Sequence, residues 1–192
     1  TLDRLAGHVG LRLMMDSTEI YAAFRDSAFI SELGYMYESL PSLFIPNTYE
    51  VYWDMSLQGF MQRMIKENKR FWNAEREAKA KSLGDSHAEI STLASIIDEE
   101  TANNAENPMV AGMYINRLKI NMPLQADPTV KFALGDFSLR RIYFEHLKVD
   151  NPYNTYRIVG LPPGPIRIPS IAGLDAVLNF VEHPYLYMYF HH

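Results

Sequence analysis

Apolar residues recur along most of this chain at three- and four-residue intervals, the spacing of helices that each bury one face. Ile20, Ala23, Phe24, Phe29 and Ile30 make the first such face, with Asp16 and Glu19 as a capping pair and Gly34 as the stop. The first forty residues are therefore read as helical. Residues 43–53 are aromatic and broken at Pro46-Asn47, which predicts a turn followed by a short extended segment. From Ser56 to about Ser82 the spacing predicts one long helix, buried along Leu57, Phe60, Met61, Met64 and Ile65, solvated beyond Trp72 and ended by Gly84. Ser86 with Glu89 forms a capping box that opens a further helix, running to about Thr101.

The second half alternates short helices with loops. Asn107-Pro108 reads as an N-cap followed by Pro at the first helical position, before a helix carrying Val110, Met113, Tyr114, Ile115 and Leu118. Asp127 before Pro128 repeats the device, and Gly135 ends that helix; Ser138 opens another through Leu139, Ile142 and Leu147. Between 151 and 170, Pro152, Pro162, Pro163, Pro165 and Pro169 exclude a helix or a central strand and predict an ordered loop of the kind that lines a cleft. A last helix spans 171–180, and Tyr185-Leu186-Tyr187-Met188 alternates like a strand. The expected class is α+β: a mostly helical domain with a small sheet from residues 49–53, 156–159 and 185–188, and a proline-rich cleft loop.

Candidate chemistry sits on the helix that ends near Thr101. At about 100° per residue, Ile90, Leu93, Ala94, Ile97 and Thr101 share one face with Glu100, while Glu99 points nearly opposite and Asp98 lies on the flank. A carboxylate set against apolar neighbours holds its proton toward neutrality, as a general acid must. The same position also suits a core-edge glutamate satisfied by a nearby arginine, and Arg117 is available for that.

Composition narrows the alternatives. The chain has 192 residues, enough for one substantial core with a smaller appendage, and a net charge of −5 that argues against nucleic acid as a partner. No apolar run reaches the roughly 18 residues of a membrane span. The absence of Cys removes thiolate chemistry, and the six His are too scattered for a metal site. No phosphate-binding glycine loop or nucleophile elbow occurs. Carboxylate acid–base chemistry is left, with Glu100 and Asp127 ahead of Asp98 and Glu99. A helix cap is the default reading of Asp127, and turn chemistry the better one for at least one of Asn154 and Thr155, whereas Gln125 has no evident structural task. The chain begins at Thr1 without Met and is read as a piece of a longer protein, and residues 189–192 are set aside as a joined tail.

Several longer motifs follow in fixed order: Phe44-Ile45-Pro46-Asn47-Thr48-Tyr49; Leu93-Ala94-Ser95-Ile96-Ile97 with Glu100-Thr101; Asn116-Arg117-Leu118; Met122-Pro123-Leu124-Gln125-Ala126-Asp127-Pro128-Thr129-Val130; Tyr153-Asn154-Thr155-Tyr156; and Gly160-Leu161-Pro162-Pro163-Gly164-Pro165-Ile166. In this the chain resembles the YceG-like family of endolytic murein transglycosylases over roughly residues 43–170. The resemblance implies a catalytic domain at 41–188 and, at 1–40, a helical linker from a LysM-like module. It further implies an inner-membrane anchor upstream, a catalytic domain in the periplasm or otherwise outside the cytoplasmic membrane, and peptidoglycan glycan strands as substrate. Cell-wall synthases are implied as partners, and no cofactor or metal. The family's catalytic glutamate, the last acid of an Ile-Glu-x-Glu-Thr segment, falls on Glu100; the earlier acid is Asp98 here, which leaves the role of that position open. Asn116, Gln125, Asp127, Thr129, Asn154, Thr155 and Tyr156 are the candidate substrate-binding residues. The family's Gly-Gly-His-Thr-Phe-like segment, which could complete the cleft, does not occur in these residues.

The expected reaction is cleavage of the MurNAc–GlcNAc bond inside glycan strands with formation of 1,6-anhydro-MurNAc ends, one glutamate acting as acid and then base. A peptidoglycan-binding module without turnover is the alternative, followed by a hydrolase using Glu100 with Asp127. A pyridoxal-phosphate lyase of aminodeoxychorismate, a label attached to the family, lacks its phosphate-binding loop here.

Overall fold

The computed structural model describes residues 2–188; Thr1 and the tail set aside above lie outside the described residues. Its helices are α1 (Leu2–Arg12), α2 (Ser17–Ala23), α3 (Ser27–Glu32), α4 (Leu57–Phe71), α5 (Ala74–Leu83), α6 (His87–Glu100), α7 (Asn107–Lys119), α8 (Asp127–Leu134) and α9 (Ile171–Leu178), with 3-10 turns at Leu40–Leu43 and His146–Lys148. None of them is long and apolar enough to cross a membrane.

Local signals set most boundaries. The Asp16, Asp26, Ser56, Asn73, Ser86 and Ser170 side chains each accept a backbone N–H from the first turn of the helix that follows. At Ser86 the capping box is complete, since Glu89 also accepts from the Ser86 N–H. Gly84 and Gly135 close α5 and α8 in the left-handed conformation that glycine adopts without penalty.

The long helix expected over 56–82 is two helices. Trp72 departs from helical geometry and Asn73 caps α5 by accepting from the Arg76 N–H. The helix expected from Ser138 is also absent; Asp136 binds both the N–H and the hydroxyl of Ser138 in a local turn, and only a 3-10 turn follows. Asn107 and Asp127 lie one residue inside their helices, after Glu106 and Ala126, so neither is the cap.

The expected sheet is absent: no strand occurs among the described residues. The backbone near 185–188 explains why its alternation misleads. The carbonyls of His183 and Tyr185 accept from Asn116 Nδ2 at 2.6 and 3.1 Å, and that of Leu186 from Arg117 Nε at 2.8 Å. Side chains of α7 supply the donors a neighbouring strand would have supplied. Residues 156–159 are likewise turned, the Arg157 and Ile158 N–H groups both donating to the Asn154 carbonyl.

Two apolar clusters fill the molecule. One gathers α1 to α4 around Ile20, Phe24, Leu40, Leu43 and Met61; the other gathers α6, α7 and α9 around Ile90, Leu93, Ile97, Val110, Leu124 and Val177. Asn68 of α4 ties its cluster to the chain entering the other, its Nδ2 donating to the Ser42 and Leu43 carbonyls at 3.0 Å each. Helix α6 is buried along nearly its whole length, from Ile90 to Ile97. Its last turn emerges at the surface, and there the acidic residues begin.

Candidate active site

Three consecutive acids at the end of α6 meet three environments. Asp98 turns toward α9, accepting from the Ser170 N–H at 2.6 Å and from the Ser170 hydroxyl at 2.7 Å. Glu99 points outward and pairs with Arg167 at 2.6 Å, both half exposed. Glu100 turns inward, where its Oε1 accepts from the Tyr114 hydroxyl at 2.9 Å. Tyr114, on the buried face of α7, is itself only 3% exposed.

Burial sets the charge of this pair. It pushes the Glu100 carboxyl above the ordinary glutamate range; the Tyr114 hydrogen bond opposes that rise, Asp127 adds to it, and Arg117 and Lys131 oppose it from further off. Tyr114 is driven well above the ordinary phenol range by burial first and by the Glu100 charge second, so it stays a donor. Glu100 makes no ion pair among the described residues. Arg117, the arginine able to neutralise it, gives Nε to the Leu186 carbonyl and a terminal nitrogen to the Leu124 carbonyl at 2.6 Å. Glu100, unlike Glu99, is therefore not a carboxylate satisfied by arginine among the described residues.

The loop before α8 carries most of the remaining candidates. Gln125 takes a left-handed φ of 50°, a strained conformation for a residue with a side chain, costing about 1 kcal/mol. Its N–H donates to the Thr155 carbonyl at 3.1 Å, and the next N–H, of Ala126, donates to Thr155 Oγ1 at 2.9 Å. Thr129 Oγ1 donates to the Ala126 carbonyl at 2.7 Å and lies 2.8 Å from Thr155 Oγ1, closing a ring of hydrogen bonds. Asn154 Nδ2 donates to the Leu147 and Val149 carbonyls while its Oδ1 accepts from the Tyr156 N–H. The Tyr156 hydroxyl then donates to Asp127 Oδ1 at 2.7 Å.

The candidate binding residues divide accordingly. Thr129, Asn154 and Thr155 are fully buried and bonded within the protein, where they fix the loop. Asn116 is half-buried and holds the 183–185 carbonyls. Gln125 and Asp127 are exposed and Tyr156 is half-buried, and Asp127 and Tyr156 lie within electrostatic reach of Glu100. Tyr114 and Lys131 are what sequence reasoning missed. Tyr114 was placed only among the apolar positions of its helix, although a buried phenol needs a partner for its hydroxyl; Lys131 carried no signal at all. The arrangement can donate a proton from Glu100 to a ligand atom above the cleft and take one back.

The chain matches the model of the YceG-like family over residues 12–192. An endolytic murein transglycosylase of Bacillus subtilis is 37% identical over 134 residues, covering 70% of this chain and 37% of that protein. One of Streptococcus pneumoniae is 28% identical over 212 residues, covering 97% of this chain and 38% of the other. The crystal structure of a YceG-like protein from Listeria monocytogenes superposes with a TM-score of 0.82 at 29% identity, over 97% of this chain and 66% of that one. The chain thus spans under two-fifths of the length of the curated relatives it matches.

Proposed function

The chain belongs to the YceG-like family, and from that premise and the buried Glu100–Tyr114 pair we propose that it forms the catalytic part of an endolytic murein transglycosylase. The observation that carries the reading is a carboxyl group held toward its protonated form by burial, beside a tyrosine donor and with no ion pair among the described residues. Protonated Glu100 gives its proton to the oxygen linking MurNAc to GlcNAc, and that bond breaks. The N-acetyl carbonyl of the MurNAc stabilises the positive charge left at its anomeric carbon. Glu100, now an anion, takes the proton of the MurNAc 6-hydroxyl, whose oxygen closes the 1,6-anhydro ring. Protons balance and no water is consumed. The Tyr114 hydrogen bond stabilises the anionic stage of this cycle and burial stabilises the neutral one, which keeps one group usable as acid and base. Asp127 and Tyr156 offer polar contacts across the cleft. The catalytic domain would work outside the cytoplasmic membrane, anchored through a segment preceding this one and accompanied by cell-wall synthases.

Replacement of Glu100 by Gln tests the reading. Loss of about 10²- to 10⁴-fold in release of anhydro-ended muropeptides is expected; cleavage that persists undiminished overturns the assignment. A second reading has one observation in its favour: the charge of Asp127 raises the pKa of Glu100, so the two carboxylates sense each other. In a two-carboxylate hydrolase Asp127 would activate water. Mass spectrometry separates them, since reducing ends in place of anhydro ends would select the hydrolase.

A further inference from the structure

A cavity of about 590 Å³ opens beside the site between α1, α6, α8 and the proline loop, with Pro128, Lys131 and Phe132 of α8 on one wall and Glu99 and Arg167 on another. A second cavity of about 250 Å³ shares Asp3, Phe132, Phe137, Ile166 and Arg167 with it and continues to Tyr37, Glu38 and Tyr153. Through these shared residues they make one groove, with Lys131 and Glu99, the neighbour of Glu100, at one end and Glu38 at the other. Two charges in it stand without a partner. Lys131 is half-buried and makes no ion pair or side-chain hydrogen bond among the described residues, although its charge reaches Glu100. Glu38, at the far end, also makes no ion pair among the described residues. Its backbone packs so closely on Gly164 that a side chain there would collide with it, which fixes that end of the groove to the proline loop.

We infer that this groove takes the stem peptide carried by the MurNAc sugar, with Lys131 binding a carboxylate and Glu38 an amine. The inference rests on the transglycosylase reading, since the peptide must hang from the sugar that Glu100 attacks. Charge order supports it. In a stem peptide the carboxylate of the isoglutamyl residue lies nearer the sugar than the side-chain amine of the following diamino acid. Glu99 and Arg167 neutralise each other and Asp3 pairs with Arg25, which leaves Lys131, whose charge reaches Glu100, at one end and Glu38 at the other. Between them one wall is apolar, with the Phe132 and Phe137 rings 6.2 Å apart and Ile166 also lining the groove, which suits the peptide's alanyl groups, while Asp3 and Arg167 line the same stretch. A free lactyl carboxylate, exposed where the peptide is missing, has the same charge as the isoglutamyl group and is the competing source.

The test uses the full-length protein on uncrosslinked glycan strands, either bearing stem peptides or stripped of them by an amidase. Wild-type kcat/KM is expected to favour the peptide-bearing strands. Lys131→Gln should lower the ratio of the two values about tenfold, the effect of one charge-assisted hydrogen bond. Glu38→Gln should lower it for strands with a free amine and not for strands whose amine is acetylated. A wild type that does not discriminate overturns the inference. So does a Lys131→Gln change equal on both substrates, which the field of Lys131 on Glu100 would produce alone, or a larger loss on stripped strands, which would mark the lactyl carboxylate. Persistent cleavage by Glu100→Gln is a separate failure, of the reaction and not of the groove.

Discussion

At the scale of single residues, Glu100 opposes two demands, burial that favours its neutral form and a tyrosine that favours its anion. Its folded pKa lies above the unfolded value, so the stability of the protonated form is complete below the unfolded pKa and is lost as pH rises through the folded one. Above that range the carboxylate destabilises the protein. Glu100→Gln copies the neutral form and should melt higher than wild type at neutral pH, with the difference vanishing in acid; thermal melts across pH check this, and equal melting temperatures at neutral pH would contradict it. Tyr114→Phe removes the main influence holding the pKa down. The alkaline limb of the kcat/KM profile should therefore move to higher pH, because the starting acid keeps its proton longer. A falling rate with an unmoved limb would mean that Tyr114 only fills space. The inward aim of Glu100 was legible from helical periodicity, which is local. Its partner was not, because Tyr114 lies on the next helix and only folding brings the two together.

At the scale of elements, α6 is positioned by the acid that carries no proposed chemistry. Asp98 receives both the N–H and the hydroxyl of Ser170, and the same hydroxyl caps α9 by accepting from the Gly173 N–H at 2.9 Å. Gly173 has no room for a side chain, since a Cβ there would stand 2.5 Å from Asp98 Oδ1. Gly173→Ala should therefore destabilise by about 2–3 kcal/mol, through overpacking and displacement of the carboxylate. In an Asp98→Ala background the same change should cost less than about 1 kcal/mol, because the clash is gone. Urea unfolding of the four proteins in the cycle decides it, and additive costs would sink the account. Arg76 adds a two-pronged pair to Asp175 of α9, at 2.9 and 3.1 Å, so α5 and α6 both orient that helix. Helix starts were readable here because a cap acts within three residues. The break at Trp72-Asn73 was readable in principle from Asn73 with acids at 75 and 77, but no glycine or proline marks it before Gly84.

At the scale of the whole molecule, Arg117 links the segment at 185–188, which reads as a strand, to the candidate site. Alternation at 185–188 records a segment lying with one side against α7, and sequence periodicity cannot distinguish that from a strand paired with a strand. The pairing groups are side chains some 70 residues away, which no local pattern encodes. Arg117 is 6% exposed, bonds the Leu186 and Leu124 carbonyls, lies 5.0 Å from the Tyr187 ring centre, and lowers the pKa of Glu100. It therefore couples the end of the described chain to the loop that carries Gln125 and to the acid. Arg117→Met keeps the apolar stem and removes the donors, leaving two carbonyls short of partners at about 1–3 kcal/mol each. Amide exchange should quicken across 183–188 and at Gln125 and Ala126, and remain slow in the middle of α6. With a positive charge gone, the alkaline limb of activity should also rise, as in Tyr114→Phe. Faster exchange without the pH shift would reduce Arg117 to a fastening for residues 183–188; both together would make that segment part of what sets the acidity of Glu100.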